Sequence, residues 1–240
     1  MGGIVLVSGG SRGIGAETVR RLAAGGWDIG FCYQSDEQAA REVEKAAGEL
    51  GVRVRATEAD FTDAVAVSAW VGAVEDDLGP VTAAVSCAGV TRDKPLALME
   101  DADWRAVVDT SLNGVFNLCQ ATVPAMMKRQ HGRIVAISSV SGVYGSTGQA
   151  SQAGVTGFIT TLAKKTGGFG IRANVVAPGV TDTDITAILP DKARTRVTET
   201  IALRRFGTAR EVAELVAFLL SDQASDITGS VLEVPGAITL

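Results

Sequence analysis

A chain of 240 residues with 46% hydrophobic and 20% charged content can bury a large core, which sets it apart from disordered compositions. Its net charge of −5 and its short basic runs exclude the clustered Lys and Arg of a nucleic-acid surface, and no apolar run reaches membrane-spanning length. Three scattered cysteines, Cys32, Cys87 and Cys119, form no Cys-x-x-Cys pair, so reduced thiols in a cytoplasmic protein are a better reading than a disulfide framework or a zinc site.

The first element is Ile4–Val7, a short β-branched run that passes straight into a glycine-rich turn, as a first strand does and a secretory leader does not. Further strand-like runs follow at Ile29–Tyr33, Val52–Thr57, Ala83–Ser86, Ile134–Ser138, Arg172–Ala177 and Val231–Val234. Between them lie helical patterns over 13–25, 36–50, 63–78, 100–130, 152–168 and 208–221. This alternation predicts an α/β fold: a Rossmann-like, doubly wound parallel sheet of about seven strands with helices on both faces. No repeat or linker divides residues 1–240, which read as one domain. The region 181–207 fits the alternation least well and reads either as a mobile lid or as an ordinary pair of short helices.

After the first strand comes Ser8-Gly9-Gly10-Ser11-Arg12-Gly13-Ile14-Gly15, opening a helix. Glycines at 9, 13 and 15 permit a tight turn, close backbone approach to a pyrophosphate and close packing of helix on strand. The first N–H groups of the helix then face the anion. Its place between a strand and a helix makes this more than a lone glycine pattern.

The Gly-x-x-x-Gly-x-Gly spacing resembles that of the short-chain dehydrogenase/reductase family, and the resemblance extends over essentially the whole chain. Asp60-Phe61 looks like the family's adenine contact. Ser86-Cys87-Ala88-Gly89 is similar to its Asn-Asn-Ala-Gly turn, with both Asn replaced. Asn174 to Thr183, with Pro178, Gly179, Thr181 and Thr183, looks like the Pro-Gly segment over the nicotinamide, and Ile227-Thr228-Gly229 also fits. The resemblance implies an NAD(P)-binding domain over 1–240. A carboxylate just after the second strand would favour an NAD ribose, but Gln34 and Ser35 stand there and the first acid is Asp36. Arg12, within the glycine turn, can pair with a 2′-phosphate, so NADP(H) is the expected cofactor.

The family's chemistry is understood to need a Ser at a strand end, a Tyr about thirteen positions later and a Lys four after it, on the same helix face. The Tyr gives the proton, the Lys lowers its pKa, the Ser polarises the substrate oxygen, and an Asn holds a relay water. Here Ser139 is kept, and Ser111 falls where the Asn is expected, with Asn113 two positions on. Either Gln152 replaces the Tyr and a following turn is deleted, or about four residues with the Tyr are deleted and Gln152 replaces the Lys. Both alignments lose both groups. Removing four residues rotates a helix by about 400°, only about 40° off register, and shortens it by about 6 Å. The face of Val155, Phe158, Ile159 and Leu162 can therefore still dock. Tyr144 in the intervening loop, Lys164 and Lys165 farther along the helix, and His131 at a turn are poor substitutes.

Within the family, Gly89 to Asp93, Met126 to Ile134 and Leu203 to Gly207 most resemble bacterial 3-oxoacyl-carrier reductases. That implies a carrier-bound or small-molecule 3-oxoacyl substrate, with Lys128, Arg129, Arg204 and Arg205 as candidates to receive an acidic carrier or as a solvated face. It also implies assembly through the helices flanking the fifth strand, as a homotetramer or as a hetero-oligomer with an intact paralogue. Three functions follow: an NADPH-dependent reductase of 3-oxoacyl thioesters with an altered site, a non-catalytic nucleotide-binding subunit, or a redox-sensing regulator.

Overall fold

The computed structural model describes residues 2–92, 94–144 and 150–238, except for the side chains of Val143 and Tyr144. In chain order the strands are β1 (Ile4–Ser8), β2 (Asp28–Tyr33), β3 (Val54–Glu58), β4 (Val81–Ser86), β5 (Gly132–Ile137), β6 (Ile171–Pro178), the two-residue β7 (Thr181–Asp182) and β8 (Gly207–Thr208), and β9 (Val231–Val234). Seven of them form one parallel sheet in the order β3-β2-β1-β4-β5-β6-β9. The strand order reverses between β1 and β4. Ser8 is level with Cys32 on one side and Ser86 on the other, so a crevice opens at the carboxyl ends of adjacent strands.

Period-2 alternation sends successive strand residues into two cores. Val5, Val7, Ile29 and Phe31 pack under α1 (Gly13–Ala24), α2 (Glu37–Gly48) and α10 (Ala209–Leu220). Leu6, Ala84, Ile134 and Val175 pack under α3 (Ala64–Leu78), α5 (Gly114–Arg129) and α7 (Ala150–Thr166). Each such Val, Leu or Ile taken fully from water contributes about 1.5–3 kcal/mol before conformational entropy is counted. At the amino-terminal edge of the sheet, Arg133 and Arg172 donate to the last carbonyls of α10 (Leu220, Leu219 and Ser221), where cations also meet the helix dipole favourably.

The expected long helix over 100–130 is three segments: α4 (Asp101–Val107), a π-helical stretch (Val108–Asn113) and α5. A π-bulge leaves the apolar periodicity almost intact, which is why the sequence pattern ran through it. It turns Ser111 inward, while Asn113 points out and its amide donates to Asp109. The 181–207 region holds the short helices α8 (Asp184–Ala187) and α9 (Asp191–Thr200), with β7 and β8 paired in parallel around them. The face of α7 expected to dock does so. Val155 and Ile159 are fully buried, and Phe158 meets Phe116 edge-on at 6.1 Å.

Candidate active site

The nucleotide side is built largely from backbone. Gly9 and Gly13 hold positive φ (64° and 54°), and a Cβ on Gly15 would lie 2.0 Å from the Gly9 carbonyl oxygen. A Cβ on Gly9 would stand 3.0 Å from the Ala88 Cα, so the glycine turn lies directly against the turn after β4. Ser8 ties the two together: its buried hydroxyl accepts the N–H groups of both Cys87 and Ala88 at 3.1 Å. Gly10 donates its N–H to the Cys32 carbonyl at 3.0 Å. Sequence reasoning missed this role of Ser8, because it depends on the register that sets Ser8 level with Cys32 and Ser86.

These turns enclose a cleft of about 540 Å³, within the range of cofactor sites. Its walls include Gly9, Ser11, Arg12, Gly13, Ile14 and Gly15 from the first turn and Gln34 and Ser35 after β2. Asp60 and Phe61 follow β3, and Cys87, Ala88 and Gly89 follow β4. Thr183, just before α8, completes this set; its Cγ2 would be 3.6 Å from a Cβ on Gly13. Pro178, Gly179 and Thr181 are not among the residues that line it. The Gly179 N–H donates to Val234, and Thr181 is buried in the β7–β8 pair.

Charge in the cleft is unevenly committed. Asp36 accepts the Ala39 N–H as the cap of α2, and Asp60 accepts the backbone N–H and hydroxyl of Thr62. Arg12 is exposed and makes no ion pair among the described residues. Burial pushes the Cys32 and Cys87 thiols up to about 12, so neither is a nucleophile near neutral pH.

The reacting side is organised differently. Ser139 lies two residues past the end of β5, and its Oγ accepts the Ser141 N–H at 3.2 Å, at the entry to the short helix α6 (Val140–Tyr144). Buried Ser138 donates to the Gln152 carbonyl at 3.0 Å, an acceptor shared with Thr156. A Cβ on Gly142 would lie 2.7 Å from the Gln152 Cβ, so α6 rests directly on α7. Four buried polar atoms here have no hydrogen-bond partner among the described residues: Ser86 Oγ, Ser111 Oγ, Ser151 Oγ and Gln152 Oε1. Each costs about 1–3 kcal/mol against a satisfied group.

None of Ser139, Ser111 and Gln152 lines the cleft, although Ser111 Oγ is 3.8 Å from where a Cβ on Gly89 would stand. Hydroxyls and a carboxamide have no proton to release near neutrality. Lys164 and Lys165 are exposed in the last turn of α7, and His131 is exposed before β5. The Tyr144 side chain and residues 145–149 lie outside the described residues.

The basic residues expected at the cleft mouth divide. Arg129 donates to Val81 at the start of β4 and to Glu75, so Lys128 and Arg129 sit at the opposite end of the sheet from the cleft within this chain. A helix that precedes a parallel strand must end at that strand's base, and this corrects the expectation for the pair. Arg204 donates to the Glu199 carbonyl and Arg205 to the Glu211 carboxylate.

Comparison with known proteins agrees with this geometry. The model of the family described as Enoyl-(Acyl carrier protein) reductase matches residues 9–239. The chain is 38% identical to the 3-oxoacyl-[acyl-carrier-protein] reductase FabG of Escherichia coli over 241 aligned positions, covering 99% of this chain and 97% of that one. It is 39% identical to the protein of the same name from Thermotoga maritima, covering 100% and 98%, and 37% identical to that from Staphylococcus aureus, covering 97% and 96%. With its doubly wound sheet, its glycine turn and these full-length relatives, the chain belongs to the short-chain dehydrogenase/reductase family.

Proposed function

We propose that this chain, as one domain over 1–240, is an NADP(H)-dependent ketoreductase for 3-oxoacyl thioesters on an acyl carrier, with its catalytic set reduced to Ser139 and its proton-donating pair absent. The cleft carries the reading: the glycine cradle, Asp60, Phe61 and the turn of Cys87, Ala88 and Gly89 converge there, and Arg12 stands beside Gln34 and Ser35 without a fixed acid. The relatives' names supply the substrate class. The Gly9 and Gly15 contacts fit a pyrophosphate that only backbone can approach, and the Arg12 guanidinium fits a 2′-phosphate.

When bound, the nicotinamide supplies a hydride to the substrate carbonyl. The chain itself must then hold that carbonyl, exclude water and deliver a proton to the resulting alkoxide. Ser139 accepts the Ser141 N–H and can still donate its own O–H to a ligand, and Gln152 can orient a ligand but not protonate it. Turnover should therefore fall about 10²–10⁴-fold below that of a complete site.

The direct contact of Gly142 with Gln152 favours a second reading, a nucleotide-binding subunit completed by an intact paralogue. Phe116 and Trp104, nearly half exposed on α5 and α4, offer apolar surface for a homo- or hetero-oligomer. No helix among the described residues is long and apolar enough to cross a membrane, and the three unpaired cysteines support a place in the cytoplasm.

Fluorescence titration with NADPH and NADH tests the cofactor assignment. Tighter NADPH binding that weakens in Arg12→Gln supports it, and equal affinities would overturn it. Acetoacetyl thioester reduction that appears only after mixing with an intact paralogue selects the subunit reading.

A further inference from the structure

Beyond Gly89 the cleft continues past the nucleotide-binding turns. Its wall there holds Val90, Thr91 and Arg92 from the loop after β4, and Ile185 and Ile188 from the α8 region. The two isoleucines are 57% and 83% exposed, an unusual cost for apolar side chains that face a cleft. Among the described residues, the Arg92 side chain donates only to its neighbour's carbonyl, on Thr91. Among the described residues its nearest carboxylate, on Asp103, is 3.9 Å from Nε and is held more closely by Lys94 at 2.6 Å. The Arg92 side chain is 52% exposed, so its charge on the cleft wall is open to solvent.

A guanidinium whose one carboxylate neighbour lies at 3.9 Å and is shared with Lys94, beside apolar side chains on a cleft wall, suits a long ligand carrying one oxyanion. We infer that Arg92 anchors an anionic group of the second substrate, a phosphate or a carboxylate, at the cleft mouth. The inference rests on the thioester reading above. An anion at the mouth lies on the part of the ligand that leads out to its carrier, so the phosphate of a phosphopantetheine arm fits better than a carboxylate at the buried acyl end.

The test titrates NADP⁺-saturated protein calorimetrically with butyryl-4′-phosphopantetheine, butyryl-pantetheine and succinyl-pantetheine. The phosphorylated compound should bind about tenfold more tightly than its dephospho form. In Arg92→Gln that difference should fall below about twofold, while Arg92→Lys keeps part of it because charge remains without the planar fork. Added salt should shrink the wild-type difference, a readout that stands even if the variant fails to fold. If succinyl-pantetheine gains the advantage instead, and Arg92→Gln removes it, the anchor stands with an acyl-end carboxylate as its source. Equal affinities in wild type, or a difference that survives in Arg92→Gln, would overturn the inference. Binding of NADP⁺ but of none of the three pantetheine compounds would overturn the thioester reading and the inference with it.

Discussion

At the end of β1 the hydroxyl of Ser8 takes two backbone donors, and Gly9 and Gly15 pack to backbone contact. Just past the end of β5 the Ser139 hydroxyl accepts the Ser141 N–H in a turn, and on α7 Ser151 Oγ and Gln152 Oε1 are buried without partners among the described residues. The two regions belong to one sheet and differ in what they are made of. A phosphate cradle is a backbone shape, which side chains can only spoil. A proton-transfer set is made of side chains, which can be lost while the shape survives. On the proposed reading, a reductase framework keeps its cradle while its side-chain chemistry is reduced.

The largest expected effect strikes the cradle. Gly15→Ala puts a methyl group against a backbone oxygen with no flexible neighbour to yield, and should cost about 1–3 kcal/mol of stability together with nucleotide binding. Intact nucleotide affinity in that variant would break the comparison. Ser8→Ala comes next. It strands two N–H groups, for about 1–3 kcal/mol, and should weaken NADPH binding, read by thermal midpoint and fluorescence together. Gly142→Ala sharpens the contrast from the other side. Crowding Gln152 should cost about 1 kcal/mol while nucleotide affinity stays within about twofold, because the α6–α7 contact is not part of the cleft.

The smallest effect is a pH dependence. The Arg205 guanidinium, then the Thr208 N–H, hold Glu211 down from its ordinary 4.5 to about 2. A depressed carboxylate contributes its stability in full above about 4.5 and loses it as pH falls toward 2. Both partners are largely exposed, so the contribution stays below about 1 kcal/mol. Between those pH values, wild type should lose thermal stability faster than Glu211→Gln; parallel curves would show that the pair contributes nothing.

Strand and helix periodicity carried the sheet, and the glycine turn was legible because its residue types answer a backbone need visible in sequence. The double acceptor role of Ser8 was not, since it depends on register across three strands. The π-helical stretch was hidden because one inserted residue hardly disturbs an apolar stripe. The strands β7 and β8 are two residues each, too short for any period to show. That neither Tyr nor Lys stands at the expected spacing after Ser139 was legible in the sequence. The contact between Gly142 and Gln152 was not, since it depends on how α6 packs on α7.

The proposed function places an intact nucleotide cradle beside a catalytic set without its Tyr and Lys. It is tested most directly by the NADPH-dependent reduction of an acetoacetyl thioester, assayed beside the Escherichia coli relative on protein of verified 24.7 kDa mass. The prediction is saturable NADPH binding with kcat about 10²–10⁴-fold below the relative's. A kcat within a few-fold of the relative's would contradict it.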